Sequence, residues 1–223
     1  MFISDPLGIF AVNLTDMAYK GLQHFVDKLR ENDELLVIDE FVDPVLDMAE
    51  LADRFVKSGG KAVLFTNNGT SFPVLINMFA SDKRMTMAVG RDSLDDAGQE
   101  IETVFRQLST PAGGFLEKVK MIPGLSKIAS YMPSRTAKRG SCQKHIIRDP
   151  DLDILPVLKC WPHDGGRFIT LPVVHTRHPG TGEVNAGMYR MQVIDGKTTG
   201  MHWHRHKTGA NHYEAWKKKG EKM

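Results

Sequence analysis

Six consecutive residues, Met201-His202-Trp203-His204-Arg205-His206, hold three histidines at alternate positions. Imidazole is the commonest side-chain ligand of transition metals. Alternation along a strand puts all three rings on one face. A strand spreads such residues over about 13 Å, however, whereas a metal about 2 Å from each nitrogen needs converging ligands. One or two of the three can hold a single ion, and the others line a polar, partly solvated face.

The preceding run, Asn185-Ala186-Gly187-Met188-Tyr189-Arg190, adds other donors. Asn185 follows a turn and can offer a hard amide oxygen to a metal; Gly187 permits close backbone approach; Arg190 is a permanent cation suited to a carboxylate or phosphate. Each has an ordinary alternative: a turn asparagine, and a strand arginine at a solvated edge or in an ion pair. Cys142 and Cys160 are the only cysteines. Their spacing fits neither a disulfide framework nor a zinc motif, so both read as reduced thiols.

The elements that must position these residues change character along the chain. Helical spacing over Asp16–Arg30 precedes a short apolar strand, Glu34–Asp39. Asp43-Pro44 reads as the start of a second helix, with Leu46, Ala49, Leu51, Ala52 and Phe55 as its apolar stripe and Gly59-Gly60 as its end. Lys61–Thr66 reads as a buried strand, Asn67-Asn68-Gly69 as a turn, and Pro73–Phe79 as strand or short helix. Ser93–Leu108 reads as a capped helix. These segments make an α/β domain over residues 1–112. A basic, weakly helical connection follows over residues 113–140, read as a solvated linker or a phosphate-binding or subunit-contacting segment.

From residue 141 to 223 the texture is β. Cys142–Arg148, Arg167–His175, Gly187–Ile194 and Thr199–His206 are strand candidates, and Gly-containing turns at 179–182 and 195–197 suggest that the last three form an antiparallel meander. Ala210–Lys219 reads as a helix.

With 223 residues, 41% hydrophobic and 25% charged, the composition is that of a globular α/β (α+β) protein. A formal net charge of +2 argues against wholesale attraction to nucleic acid. No apolar run reaches the roughly 18 residues of a membrane span, and no secretory leader is recognisable, so a cytoplasmic location is expected.

WPHDGGRFITLPVV, NAGMYRMQV and TGMHWHRHKTGANHY, in that order and spacing, together resemble the signature of the UbiD decarboxylase family. Upstream, ELLVIDEFVDPVLDMAELADR, KAVLFTNNG and PVLINMFASDKRM resemble that family's N-terminal domain. The resemblance implies a flavin-binding split β-barrel, here its first part, holding prenylated FMN with Mn²⁺ or Mg²⁺ and often K⁺. It implies non-oxidative decarboxylation of an aromatic or α,β-unsaturated acid, with a bias toward the branch that makes ubiquinone or menaquinone precursors. By motif match Asn185 and His206 take the places of metal ligands. Met188, Tyr189, Arg190, His202, Trp203 and His204 fall in cofactor-contacting segments, and Arg190 also matches the arginine that works with carboxylates. The family's glutamate ligand, its acidic catalytic network and its C-terminal domain have no match here. The chain therefore reads as an N-terminal portion that needs a further segment, subunit or homo-oligomer. Two rivals stand beside this reading: a non-catalytic flavin- or phosphate-binding or interaction module, and a metal protein using His202, His204 and His206.

Overall fold

The computed structural model describes residues 19–109, 140 and 143–223. In chain order the helices are α1 (Leu22–Glu31), α2 (Asp47–Lys57), α3 (Asp82–Val89), α4 (Leu94–Ser109) and α5 (Thr208–Lys219). The strands are β1 (Leu35–Ile38), β2 (Ala62–Phe65), β3 (Val74–Ile76), β4 (Phe168–Ile169), β5 (Val173–Arg177), β6 (Val184–Met188), β7 (Met191–Asp195) and β8 (Thr198–Met201). The described residues of Met1–Glu34 and Phe79–Ile146 pack as one unit, and Leu35–Met78 with Ile147–Met223 as another. The expected start of the first helix before Tyr19, most of the basic connection, and Cys142 lie outside the described residues.

In the first unit α1 buries Phe25, Val26 and Leu29, a helical stripe. Phe25 meets Tyr19 edge-on at 4.9 Å and Phe79 at 5.9 Å between ring centroids. α3 has no counterpart among the expected helices, because its charged first turn hides the pattern. Its caps are nonetheless conventional: Ser81 Oγ accepts from Arg84 N at 3.2 Å, and Gly90 closes it at φ 63°. Arg84 is 2% exposed and pairs with Glu34 at 2.8 Å. α4 begins as expected, with Ser93 Oγ accepting from Asp96 N at 3.0 Å.

In the second unit β1 and β2 run parallel, and β3 joins β2 antiparallel. Met48, Val63 and Phe65 form the core, packed by Ile38, Leu51, Phe55 and Leu158. The apolar reading of Lys61–Thr66 succeeds because β2 is central and covered. The second helix begins later than expected. Asp43 Oδ1 accepts from Val45 N at 2.7 Å within a turn, while Leu46, at φ 75°, donates its N–H to Lys159 O at 2.9 Å. Lys159 N returns a bond to Pro44 O at 3.2 Å, so residues 44–46 serve a parallel bridge before α2 can start.

The later strands keep part of the expected meander, an antiparallel β4–β7–β8 sheet, and depart from the rest. Residues 143–148 form no strand. The 167–175 candidate divides into β4 and β5 around Leu171-Pro172, where proline offers no N–H to a ladder. β6 pairs with β5 in a separate hairpin, whereas β7 pairs with β4 and β8. Between β6 and β7, Tyr189 turns into the interior at 7% exposure and ends the ladder. β8 stops at Met201, so the three histidines do not share a strand: His202 and His204 lie in irregular chain and His206 in a turn. The described strands form no closed barrel. α5 lies on the β5–β6 hairpin, with Trp216 Nε1 donating to Arg177 O at 2.7 Å.

Candidate functional site

Asn185 sits on β6 opposite Thr176 of β5. Its amide nitrogen faces Thr176 Oγ1 at 3.4 Å and the Tyr189 hydroxyl at 3.3 Å. Thr176 Oγ1 lies 2.9 Å from Nδ1 of buried His212, and the Tyr189 hydroxyl accepts from Gly209 N at 3.1 Å. The close approach expected at Gly187 is to Tyr189 itself: a Cβ there would fall 2.5 Å from the ring. Gly209 also approaches the ring, where a Cβ would lie 3.1 Å away. Two glycines thus lie close against the Tyr189 ring, and its hydroxyl is engaged inside the fold.

Arg190 is held by different partners. Its NH1 and NH2 donate to the two oxygens of Asp164 at 3.3 and 2.7 Å, and its guanidinium carbon lies 3.7 Å from the Phe168 ring centre. The Arg190 hydrogen bonds hold the Asp164 carboxyl below its usual range. Burial pushes the neighbouring Cys160 thiol up, and the Arg190 charge opposes that shift. Such a forked, stacked arginine is suited to planar carboxylates.

Past β8, His202 N donates to Arg190 O at 3.1 Å, which fixes this segment beside Arg190. Trp203 packs edge-on to Tyr189 at 5.7 Å and lies 5.9 Å from Tyr213. The His204 and His206 rings stack 5.7 Å apart, and both residues are exposed, as are His202 and Met188. Among the described residues no three His, Cys, Asp or Glu side chains gather as a metal centre, so the tri-histidine reading has no geometry behind it.

Asn185 and His206 are the residues of the chain whose donors could hold a metal together with a phosphate. Asn185 Oδ1 accepts no hydrogen bond among the described residues and is not a buried orphan. His206, exposed, lies two residues before the helix whose Gly209 N–H holds Tyr189. An amide oxygen and an imidazole with phosphate oxygens suit Mn²⁺ or Mg²⁺. The residues that the motif reading passed over are Thr176, His212 and Asp164. Asp164 was visible inside WPHDGG and His212 inside TGMHWHRHKTGANHY, but Thr176 lies outside the motifs, and its pairing with His212, 36 positions away, has no local signal.

Residues 26–101 match the 3-octaprenyl-4-hydroxybenzoate carboxy-lyase N-terminal domain, and residues 134–223 match the Rift-related domain of the same family. An uncharacterized protein of Archaeoglobus fulgidus is 44% identical over 205 residues, which are 92% of this chain and 41% of that protein. Vanillic acid decarboxylase of Sedimentibacter hydroxybenzoicus, in its open form, superposes with a TM-score of 0.67 at 25% identity, covering 91% of this chain and 40% of that one. The UbiD-class enzyme HmfF from Pelotomaculum thermopropionicum, in complex with FMN, shares the fold with a TM-score of 0.68 at 18% identity, over 89% of this chain and 40% of that one. The chain spans about two fifths of the length of these relatives. With both of its structured stretches matched to successive domains of one family, the chain belongs to the UbiD carboxy-lyases.

Proposed function

We propose that this chain supplies one side of a prenylated-FMN and divalent-metal site in an enzyme that removes CO₂ from an aromatic or α,β-unsaturated acid. The observation that carries the reading is the presentation of Arg190, stacked on Phe168 and already engaged with a carboxylate through two N–H groups. Asn185 and His206 would hold Mn²⁺ or Mg²⁺, which would neutralise the cofactor phosphate, and K⁺ would be a further ion of the site. Met188, Arg190, His202, Trp203 and His204 would contact the cofactor, and Tyr189 would act through its hydrogen bond with Asn185. A prenylated flavin bound there supplies the electron sink needed when a carboxylate leaves as CO₂. Arg190 orients the substrate carboxylate with donors not taken by Asp164, and Phe168 shields one guanidinium face from water.

No residue of this chain is assigned as proton donor to the product carbon. Glu214 is exposed within α5 and does not match the family's ligand glutamate. The proposal therefore includes a further segment, subunit or second copy that brings carboxylates to the site. An aromatic substrate is favoured by the likeness to vanillic acid decarboxylase, and a quinone precursor by the matched domain descriptions. A second reading, an interaction module, is favoured by the outward face of the β5–β6 hairpin, where Val173 is 64%, Val184 52% and Met188 65% exposed.

Titration with prenylated FMN, with and without Mn²⁺, tests the site: a Mn²⁺-dependent shift of the flavin spectrum, lost in Asn185→Ala, is expected. CO₂ release from a panel of aromatic acids, measured together with the remaining length found in relatives, tests the reaction. Absence of both signals overturns the proposal.

A further inference from the structure

A row of buried polar groups lies behind Asn185 and touches neither Arg190 nor the histidine segment. Thr176 is 5% exposed and His212 2%, so water does not stand in for either partner. The β5–β6 register sets Thr176 directly across from Asn185, and α5 brings His212 onto Thr176 at 2.9 Å. His212 is further fixed by His178, whose ring meets it edge-on at 5.5 Å.

We infer that Thr176 and His212 are positioning residues that select which end of the Asn185 amide faces a metal. The inference rests on the reading of Asn185 as a metal ligand. A carboxamide has two nearly isosteric orientations, and only the oxygen can ligate a divalent cation. In the Nε2-protonated tautomer, His212 Nδ1 accepts the Thr176 hydroxyl proton. Thr176 Oγ1 is then an acceptor toward residue 185, and the hydrogen bonds run in one direction: Asn185 to Thr176 to His212. The Tyr189 hydroxyl, accepting from Gly209 N, takes the second Asn185 N–H. Both hydrogens of the amide are consumed on the inner side, and Oδ1 is turned outward. Without His212, the Thr176 proton is free to point at residue 185, and the flipped amide, with its oxygen buried, becomes competitive. Partners of this kind, one step behind a ligand, typically change metal affinity by about 10–100-fold.

The test is Mn²⁺ affinity of this chain in the presence of FMN, read from the electron paramagnetic resonance signal of free Mn²⁺. Asn185→Ala, Thr176→Val, Thr176→Ser and His212→Phe are compared, with circular dichroism melting to certify folding. Thr176→Val and His212→Phe are each expected to weaken Mn²⁺ about 10-fold, and Thr176→Ser, which keeps the hydroxyl, to stay within about 2-fold of the parent. If Asn185→Ala weakens binding but Thr176→Val does not, the positioning role is wrong while the ligand stands. Equal losses in Thr176→Val and Thr176→Ser mean that packing, not the hydroxyl, matters, and also overturn it. The measurement is made with the remaining length found in relatives added; if Asn185→Ala then binds like the parent, or the parent binds no Mn²⁺, the metal-site reading itself falls. Should Thr176→Val fail to fold, His212→Phe against Thr176→Ser decides.

Discussion

Replacing Gly187 by alanine should damage the site through one aromatic ring. The added Cβ would sit 2.5, 2.6 and 2.7 Å from Cε2, Cζ and the hydroxyl oxygen of Tyr189. Ordinary contact begins near 3.4 Å, so the ring must leave its slot. Gly209 also lies against the ring, where a Cβ would be 3.1 Å away, so the ring has little room to shift. The forced shift costs about 1–3 kcal/mol, the usual range for overpacking. Loss of the hydroxyl leaves the buried Gly209 N–H without its acceptor, a further penalty of about 1–3 kcal/mol. Gly187→Ala is therefore expected to destabilise its unit by about 2–6 kcal/mol, and Tyr189→Phe, which incurs only the second penalty, by about 1–3 kcal/mol. The double variant should be less destabilised than the sum, because the same hydrogen bond is lost in both. Urea unfolding followed by tryptophan fluorescence measures this, with Trp203 against Tyr189 as reporter. Gly98→Ala in α4 is the control: nothing lies within 4 Å of its Cβ position, and helix propensity favours the change by about 0.5–1 kcal/mol. Parent-like stability of Gly187→Ala, or strict additivity in the double variant, would refute the close packing of Gly187 on Tyr189.

Glu34 is held below the ordinary carboxyl range first by the Lys83 hydrogen bond and also by Arg84, against burial. Its folded pKa lies below the unfolded one, so its contribution is present above about pH 4.3 and fades as pH falls through the folded value. Glu34→Gln should remove that acid-side loss and, at neutral pH, lower stability by removing the carboxylate 2.8 Å from buried Arg84; an unchanged acid limb in pH-dependent melting would contradict this. At Cys160, burial raises the thiol pKa, Arg190 lowers it and Asp164 raises it. In a Cys142→Ala background, Asp164→Asn should lower the pH midpoint of iodoacetamide alkylation and Arg190→Gln should raise it, and shifts of the same sign would break the assigned triad.

What could be read from the chain alone was whatever depended on neighbours in sequence. Lys61–Thr66 is apolar because both faces of β2 are covered, and Ser93 announces α4 through its own hydroxyl. The Asn185, Arg190 and His206 motif reading gave candidate residues but not their arrangement. Only Asn185 lies on a strand; Arg190 follows β6 and His206 occupies a turn. Those differences come from contacts distant along the chain. Tyr189 leaves the ladder to reach Gly209, 20 positions on, and Arg190 is anchored by Asp164, 26 positions back. Likewise the late start of α2 is set by Lys159, a partner invisible in the local pattern around Asp43.

That Lys159 bridge bears on how the polypeptide matures. The pocket of side chains around Met48, Val63 and Phe65 includes Leu158, and Leu158 O receives Phe168 N at 2.8 Å, coupling the early sheet to the later strands. A nascent chain leaving the ribosome has residues 35–78 available long before 157–168 emerge. During that interval an apolar surface awaits its closing strap, the period when a chaperone or a neighbouring nascent chain can bind it. Excision at residue 112 would make that interval permanent, and gene dissection of this protein should keep both stretches on one molecule.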